Sequence, residues 1–291
     1  MRSIRHPGTP TAERERSVQG RARRLTLRLK PGRSVNRAVA EAFAEAGFAG
    51  GYIRLEDVPV SPMNYVIPAA SPDAAHAAWY SATRSPAGVT TIEEAGAIVG
   101  WRDGEPFLHC HGIWREADGA RRMGHLLPLD SEFAAEVEAE AWGVCGAIFD
   151  VRDDPETNFR LFSPVSAEHE GTSRSPSFSS PPRGAGTGRV LLATVRPNED
   201  ITIAIERLCR ENGIGSAAVH GIGSLVGADF EDGSHLASYA TELLVGNGEM
   251  SAGTCRLDIS VVGMDGEIAE GRLARGSNPV CVTFELVIEE T

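Results

Sequence analysis

Residues 25–55 read LTLRLKPGRSVNRAVAEAFAEAGFAGGYIRL, and residues 191–221 read LLATVRPNEDITIAIERLCRENGIGSAAVHG. Each is a short strand, a turn at Pro31 or Pro197, one helix, a glycine stop and another strand. Apolar residues fall at Val35, Ala38, Val39, Ala42, Phe43 and Ala46 in the first helix, and at Ile201, Ala204, Ile205, Leu208 and Cys209 in the second. Both sets make a single buried stripe of helical period. Ser34 and Asp200 stand at the N-cap, and Gly47 and Gly213 supply the C-terminal stop. Pro31 to Gly47 and Pro197 to Gly213 are both 16 residues apart. The shared register makes the chain an internal duplication.

Downstream, PFLHCHGIWREADGARRMGHLL (106–127) corresponds to GTCRLDISVVGMDGEIAEGRLA (253–274). Each reads as an alternating strand, an Asp-Gly turn and a returning strand, a β-hairpin. Before its hairpin the first copy carries an excursion of about 20 extra residues, around PVSPMNYVIPAASPDAAHAAWYSATRSP. A short helix is expected there near Pro72 to Ala82. Each copy is one main helix packed on a mostly antiparallel sheet, so the fold class is α+β. The expected organisation is a disordered basic arm (1–20), a first module (21–165), a Ser/Pro/Gly linker (166–188) and a second module (189–291). The linker, SAEHEGTSRSPSFSSPPRGAGTG, has almost no aliphatic residues to offset its ordering entropy.

Of the 291 residues, 42% are hydrophobic and 23% charged, the balance of a soluble globular chain. No run of 18 apolar residues occurs, so no spanning helix is expected. The polar, Arg-rich N-terminus has no apolar core of a secretory signal. Cys110, Cys145, Cys209, Cys255 and Cys281 are odd in number and never in a C-x-x-C. They read as reduced thiols, and the expected location is the cytoplasm. Net charge is −12, unevenly spread: residues 1–33 hold ten basic groups against Glu13 and Glu15, leaving 18 basic and 38 acidic for the rest. The acidic body has no general attraction for nucleic acid or anionic lipid, whereas the basic arm has.

His109, His111 and His125 are the histidines with ligand-like spacing. Strand alternation puts His109 and His111 on one face and Cys110 on the other. A three-residue loop at Ala117–Gly119 pairs Glu116 with Ala120, and that register sets His111 opposite His125. Three imidazoles converging on one face match zinc or another borderline divalent ion. The alternative is a polar patch at a subunit interface. An open fourth position is available to water, which a metal acidifies for hydrolysis, or to a residue of a neighbouring subunit.

Other features read as structural. Gly221–Ser224 (GIGS) lacks a phosphate-loop lysine and reads as a tight turn. Glu138 and Glu285 occupy matching positions in the last strands of separate copies, where a solvated face or an inter-subunit hydrogen bond is the favoured reading over acid–base work. Asp73, His76, Trp79 and Tyr80 line a pocket or serve packing. No G-x-S-x-G, Walker A, H-E-x-x-H or Cys-His dyad is present, so no reaction is assigned.

The R-L-x-P-G opening with its single helix, V-H-G-I-G-S-L at Val219–Leu225, and L-H-C-H followed by G-H-L-L resemble the plant-and-prokaryote conserved (PPC) domain. The resemblance covers Arg24–Val165 and again Gly188–Thr291; the first copy departs from it with Y-I-R-L-E-D-V after the helix. It implies one helix on an antiparallel sheet, assembly as a trimer, and a histidine-lined metal site, carried here onto His109, His111 and His125. Plant members join this domain to AT-hooks, which need an R-G-R-P-type core. Gln19-Gly20-Arg21-Ala22-Arg23-Arg24 lacks it. The leading expectation is an oligomeric tandem PPC protein with a divalent metal, zinc first, in its first copy, serving as a ligand-binding or regulatory module. The alternatives are a DNA-binding protein using the basic arm and a metal-dependent enzyme of unassigned reaction. Counting back from Asp118-Gly119 and Asp265-Gly266 places Arg256, Asp258 and Arg272 where the first copy has His109, His111 and His125. Arginine offers a metal no lone pair, so the second copy is expected to be metal-free, with an Asp258–Arg272 pair or an anion held by Arg256 and Arg272.

Overall fold

The structure, a computed structural model, describes residues 2–167 and 188–291. Residues 168–187, most of the expected linker, lie outside the described residues. Helix α1 (Val35–Glu45) starts where Ser34 accepts the Arg37 N–H at 3.3 Å. Helix α2 (Ile201–Glu211) starts where Asp200 accepts the Ile203 N–H at 3.0 Å. Both end at a glycine of positive φ, 83° at Gly47 and 66° at Gly213, the left-handed stop that glycine adopts without a Cβ clash.

Most of the strands join into one largely antiparallel ribbon. In the C-terminal half the order is Ile268–Arg272, Thr254–Gly263, Thr241–Ser251, Ala217–Leu225, Val280–Glu290 and Gly188–Val195. The last pairs with Glu15–Leu29, and the ribbon continues through Val137–Cys145, Gly51–Val60, Thr90–Arg102, Glu105–Arg115 and Arg121–Leu126 to Tyr65–Val66. A hairpin of Ala147–Asp153 and Arg160–Ser166 meets Thr90–Arg102 at Asp150 and Trp101. Among the described residues the fold is therefore mostly antiparallel sheet with two helices.

Three large cores follow from this layout among the described residues, beside a small fourth around Ile4, Ala78 and Cys281. One lies under α1, around Val39, Phe43, Ile53 and Trp114. Another lies under α2, around Ile205, Leu208, Leu257 and Phe284. The third lies between the halves, where Tyr52, Ile98, Ile113 and Trp142 meet Leu192, Ile222, Leu244 and Val287. A single helix covers only one face of each half's sheet, and the other face has to be buried on something. That other face is buried on the chain's own other half. The approach is close at Gly96, where a Cβ would lie 2.2 Å from the Tyr52 hydroxyl and 2.8 Å from Leu244 Cδ1.

Three sequence expectations are corrected. Residues 2–20 are not a disordered arm. Glu15–Ala22 pairs with Gly188–Val195, and Arg21–Leu29 pairs with Val137–Cys145. Ahead of that strand, Ile4 exchanges hydrogen bonds of 2.8 and 2.9 Å with Asn198, and buried His6 lies 2.7 Å from the Cys281 carbonyl. Long-range backbone pairing supplies the order that local aliphatic content does not. Second, Pro72–Ala82 is not helical. It holds an Asp73-capped turn, with Asp73 accepting the Ala75 N–H, and a two-residue strand, Trp79–Tyr80, paired with Pro68–Ala69. A segment this short cannot overcome helix nucleation against aromatic anchoring of its end. Third, Gly221–Ser224 is not a turn but the middle of the Ala217–Leu225 strand. Its glycines give room: a Cβ on Gly221 would lie 2.5 Å from the Glu285 carbonyl, and one on Gly223 2.6 Å from the Phe284 ring.

The shared core sets an expectation. Leu244→Ala removes a side chain buried between the halves and should cost about 2–5 kcal/mol in urea denaturation. Tryptophan emission and far-UV circular dichroism should report one coincident transition; two separate transitions would mean that the halves are independent.

Candidate metal centre

The Glu105–Arg115 strand and the Arg121–Leu126 strand turn at Ala117–Gly119, where the Glu116 N–H donates to the Ala120 carbonyl and Gly119 has φ 87°. In this register His111 lies directly opposite His125. Their face is the inner one, between the halves, while Cys110 points into the α1 core. The three imidazoles converge, with one possible ligand atom from each lying within 4.8 Å of the others. Nε2 of His109 and Nε2 of His111 are 3.0 Å apart. Nδ1 of His125 is buried without a hydrogen-bond partner among the described residues.

The opposite wall comes from the C-terminal half. Glu285 Oε2 lies 2.7 Å from His109 Nδ1, Glu242 Oε2 lies 2.6 Å from His111 Nε2, and the Leu243 carbonyl lies 3.0 Å from His111 Nδ1. A carbonyl only accepts, so His111 carries a proton on Nδ1 and, when neutral, presents a lone pair at Nε2. Glu285, once ionised, would set His109 the same way. A buried acceptor behind two of the three imidazoles is the outer-shell arrangement that orients ligating histidines. The donor set therefore fits a divalent ion: two imidazoles with Nε2 directed inward, a third with an unpartnered buried nitrogen, and a carboxylate within reach.

Burial governs the electrostatics. It pushes His109 down to about 3, with neighbouring His111 adding to the effect, and it holds His125 well below its ordinary value. Burial also pulls on His111, but the Glu242 carboxylate outweighs it and raises His111. The same pairing keeps Glu242 below its ordinary value despite burial. Glu285, 1% exposed, is pushed up to about 8 by burial. Its Oε1 has no partner, a state that a neutral acid tolerates better than a carboxylate.

A cavity of about 470 Å³, counting its mouth, adjoins the cluster and reaches His109, His111, Glu242, Tyr80 and Cys281. Tyr80 stands edge-on to His125 at 5.3 Å, and Trp79 stacks on Phe159 at 5.4 Å. His76 packs 4.3 Å from the Trp79 ring, while Asp73 serves its own turn. Glu138 is solvated, 3.7 Å from Arg28. Glu285, given from sequence the same reading of a solvated face or an inter-subunit hydrogen bond, is instead buried against His109, because its strand lies within the ribbon. Sequence reasoning also missed Glu242. The signal was there in both cases: a lone acid inside an apolar run, TELLV and TFELVI.

At the positions equivalent by count, Arg272 donates to Asp258 through Nε at 2.9 Å and Nη2 at 3.0 Å. Asn247 Nδ2 adds a contact to Asp258 at 3.3 Å. The pair is half exposed, so water screens it and its effect on stability is small. Arg256 lies on the same strand, exposed.

Residues 183–291 match the Plants and Prokaryotes Conserved (PCC) domain. The C-terminal part of the chain carries a PCC domain. No curated protein matches it. Among solved structures, this PCC-domain chain is similar to a metal-containing protein from Archaeoglobus fulgidus, at 19% identity and TM-score 0.38, over 56% of this chain and 99% of that one. It is similar to a plant- and prokaryote-conserved protein from Pyrococcus horikoshii, at 14% identity and TM-score 0.39, over 51% and 96%. A Ralstonia eutropha JMP134 protein, named only as a candidate DNA-binding protein, is similar at 14% identity and TM-score 0.34, over 47% and 89%.

The buried groups dictate how the metal-free PCC-domain chain responds to pH. His109 and His125, held below 6.5 when folded, bind protons only on unfolding, so stability falls as pH drops below about 6.5. Glu285 runs the other way. Its folded value of about 8 exceeds its ordinary 4.5, so the unfolded chain sheds a proton that the folded one keeps, and stability falls as pH rises towards 8. The contribution of the raised His111 is also lost on that side. Thermal melts in chelator should peak near about pH 6.5, and Glu285→Gln should flatten the alkaline limb. An unchanged alkaline limb in that variant would show that Glu285 is ionised in the fold.

Proposed function

We propose that the chain is a tandem PCC protein whose two halves close round one divalent-metal site, with zinc as the first candidate. The support that carries this is the convergence of His109, His111 and His125, with His125 Nδ1 buried and partnerless, against Glu242 and Glu285 of the other half. Such a donor set, three imidazoles and one carboxylate, is what borderline divalent ions take. A bound ion would supply Lewis acidity at the wall of the adjoining cavity. The chain's residues do the rest. Leu243 and Glu285 fix two ring orientations, Glu242 closes the site or yields its place to a ligand, and Tyr80 and Trp79 cover the approach. This supports a ligand-binding or regulatory module, and the cavity also accommodates the metal-dependent-enzyme reading, with no reaction assigned.

DNA binding through residues 1–33 draws no support from the geometry. Arg2, Arg14, Arg24 and Arg28 pair within the chain with Asp229, Glu156, Glu140 and Glu136, so these arginines are already engaged by carboxylates. As for assembly, one chain supplies both walls of the site. Its metal content should therefore be one ion per chain whether sedimentation reports a monomer or a trimer. Among the described residues, no helix is long and apolar enough to cross a membrane.

Metal analysis of the purified full chain tests the proposal, with one ion expected and none retained in His111→Ala. Retention of the ion by that variant, or two ions per chain, would defeat it. Proton release gives a sharper check. Because burial holds His109 and His125 below the ordinary imidazole value, binding at pH 5.5 should displace fewer protons than the three that ordinary imidazoles would yield. Calorimetry in buffers of different ionisation enthalpy reads that number.

A further inference from the structure

A second cavity, about 590 Å³ with its mouth, lies on the seam between the halves, and three arginines and three hydroxyls line it: Arg16, Arg152, Arg196, Ser163, Thr194 and Thr283. They come from both halves of the chain. Arg16 lies opposite Thr194 across the pairing of Glu15–Leu29 with Gly188–Val195, and partners in a ladder share a face. In a chain of net charge −12 this is a local excess of cations.

The two carboxylates that also line the cavity are taken up by Arg196 and Arg160, which leaves Arg16 uncompensated and Arg196 with donors to spare. Asp154 is engaged. Its Oδ1 accepts the Glu156 and Thr157 N–H groups at 2.8 and 3.2 Å, and its Oδ2 accepts Arg196 Nη1 at 2.6 Å. Asp153 is exposed and lies 3.5 Å from Arg160. Arg152 stands 3.5 Å from Asp150. Arg196 bonds through Nη1, leaving Nε and Nη2 without a partner among the described residues. Arg16 has no ion pair among them. Guanidinium N–H groups beside hydroxyls, in a concave and partly dry setting, are the chemistry that holds phosphate or carboxylate.

This cavity touches the metal pocket. Leu161, Val282 and Thr283 line both. Thr194 lies directly across the ladder from Glu285, the acid behind His109, so one rung of about 5 Å separates the two chemistries. We infer that the two cavities form one bipartite site for a small molecule that carries an anionic group, phosphate or carboxylate, and a metal-coordinating group. The anionic end lies against Arg16 and Arg196, and the coordinating end reaches the histidines. The second half of this inference rests on the proposed metal site; the first does not.

The full chain tests both halves separately. Titration of the metal-free protein with inorganic phosphate at low salt should saturate. R16E should weaken binding about tenfold or more, as expected for loss of a charge-assisted contact. R256E makes the same charge change on another exposed strand and should leave affinity within about twofold. Absence of saturation, or equal weakening by both variants, overturns the anion site. On zinc-loaded protein, phosphonoacetohydroxamate and its homologues with two and three methylenes are compared with acetohydroxamate. At least one phosphono compound should bind about tenfold tighter than acetohydroxamate, and R16E should remove that advantage while preserving acetohydroxamate binding. Equal affinity of all the hydroxamates overturns the bipartite site. Hydroxamate binding unaffected by His111→Ala does the same by removing the metal, while saturable phosphate binding would still stand for the anion cavity.

Discussion

Everything in this molecule depends on two half-covered sheets that must bury their remaining faces on each other. One 11-residue helix covers one side of each half. The uncovered sides carry Tyr52, Ile98, Leu244 and Val287, which water would not leave exposed. Packing them together makes a third core and a seam. The seam is where the polar groups of interest lie, because groups at the margin of such a core are desolvated yet still open to a cavity.

The seam sets the chemistry of the histidine cluster. Imidazoles from one sheet meet carboxylates from the other, and neither set would have its properties alone. Without Glu242, burial would leave His111 depressed like its two neighbours; with it, His111 is raised. Without the opposing sheet, Glu285 would be an ordinary surface acid like Glu138. Side chains held by two rigid strand ladders keep their geometry better than side chains on loops, so the cluster is preorganised by the same packing that stabilises the fold.

Local periodicity made part of this legible. The helical stripes, the caps at Ser34 and Asp200 and the glycine stops depend on neighbours within a few residues, and the α+β class follows from them. The pairing of His111 with His125 was also readable, since an Asp-Gly loop fixes a hairpin's register and strand alternation fixes the face. What could not be read was whatever depends on the distant half. Residues 2–14 have little apolar content of their own and are ordered by contacts with Asn198, Asp229 and Cys281. Glu242 and Glu285 meet histidines more than 100 positions away, and no local pattern encodes such a pairing. The glycines of Gly221–Ser224 misled for a related reason: a turn and a close strand approach both select glycine.

The proposed tandem arrangement also explains why the two halves can differ. In a symmetric assembly of identical protomers every substitution appears in every copy, so one side of an interface cannot change alone. Within one chain it can. The first half keeps imidazoles at 109, 111 and 125, and the second carries Arg256, Asp258 and Arg272, with Asp258 and Arg272 pairing across the strands. Arginine offers a metal nothing, but Arg272 satisfies the carboxylate opposite it. The second half is thereby free to contribute its other inner-face residues, Glu242 and Glu285, as the complementary wall. On the proposed reading the result is one asymmetric site at a single seam, in place of the equivalent sites that identical protomers would have to build.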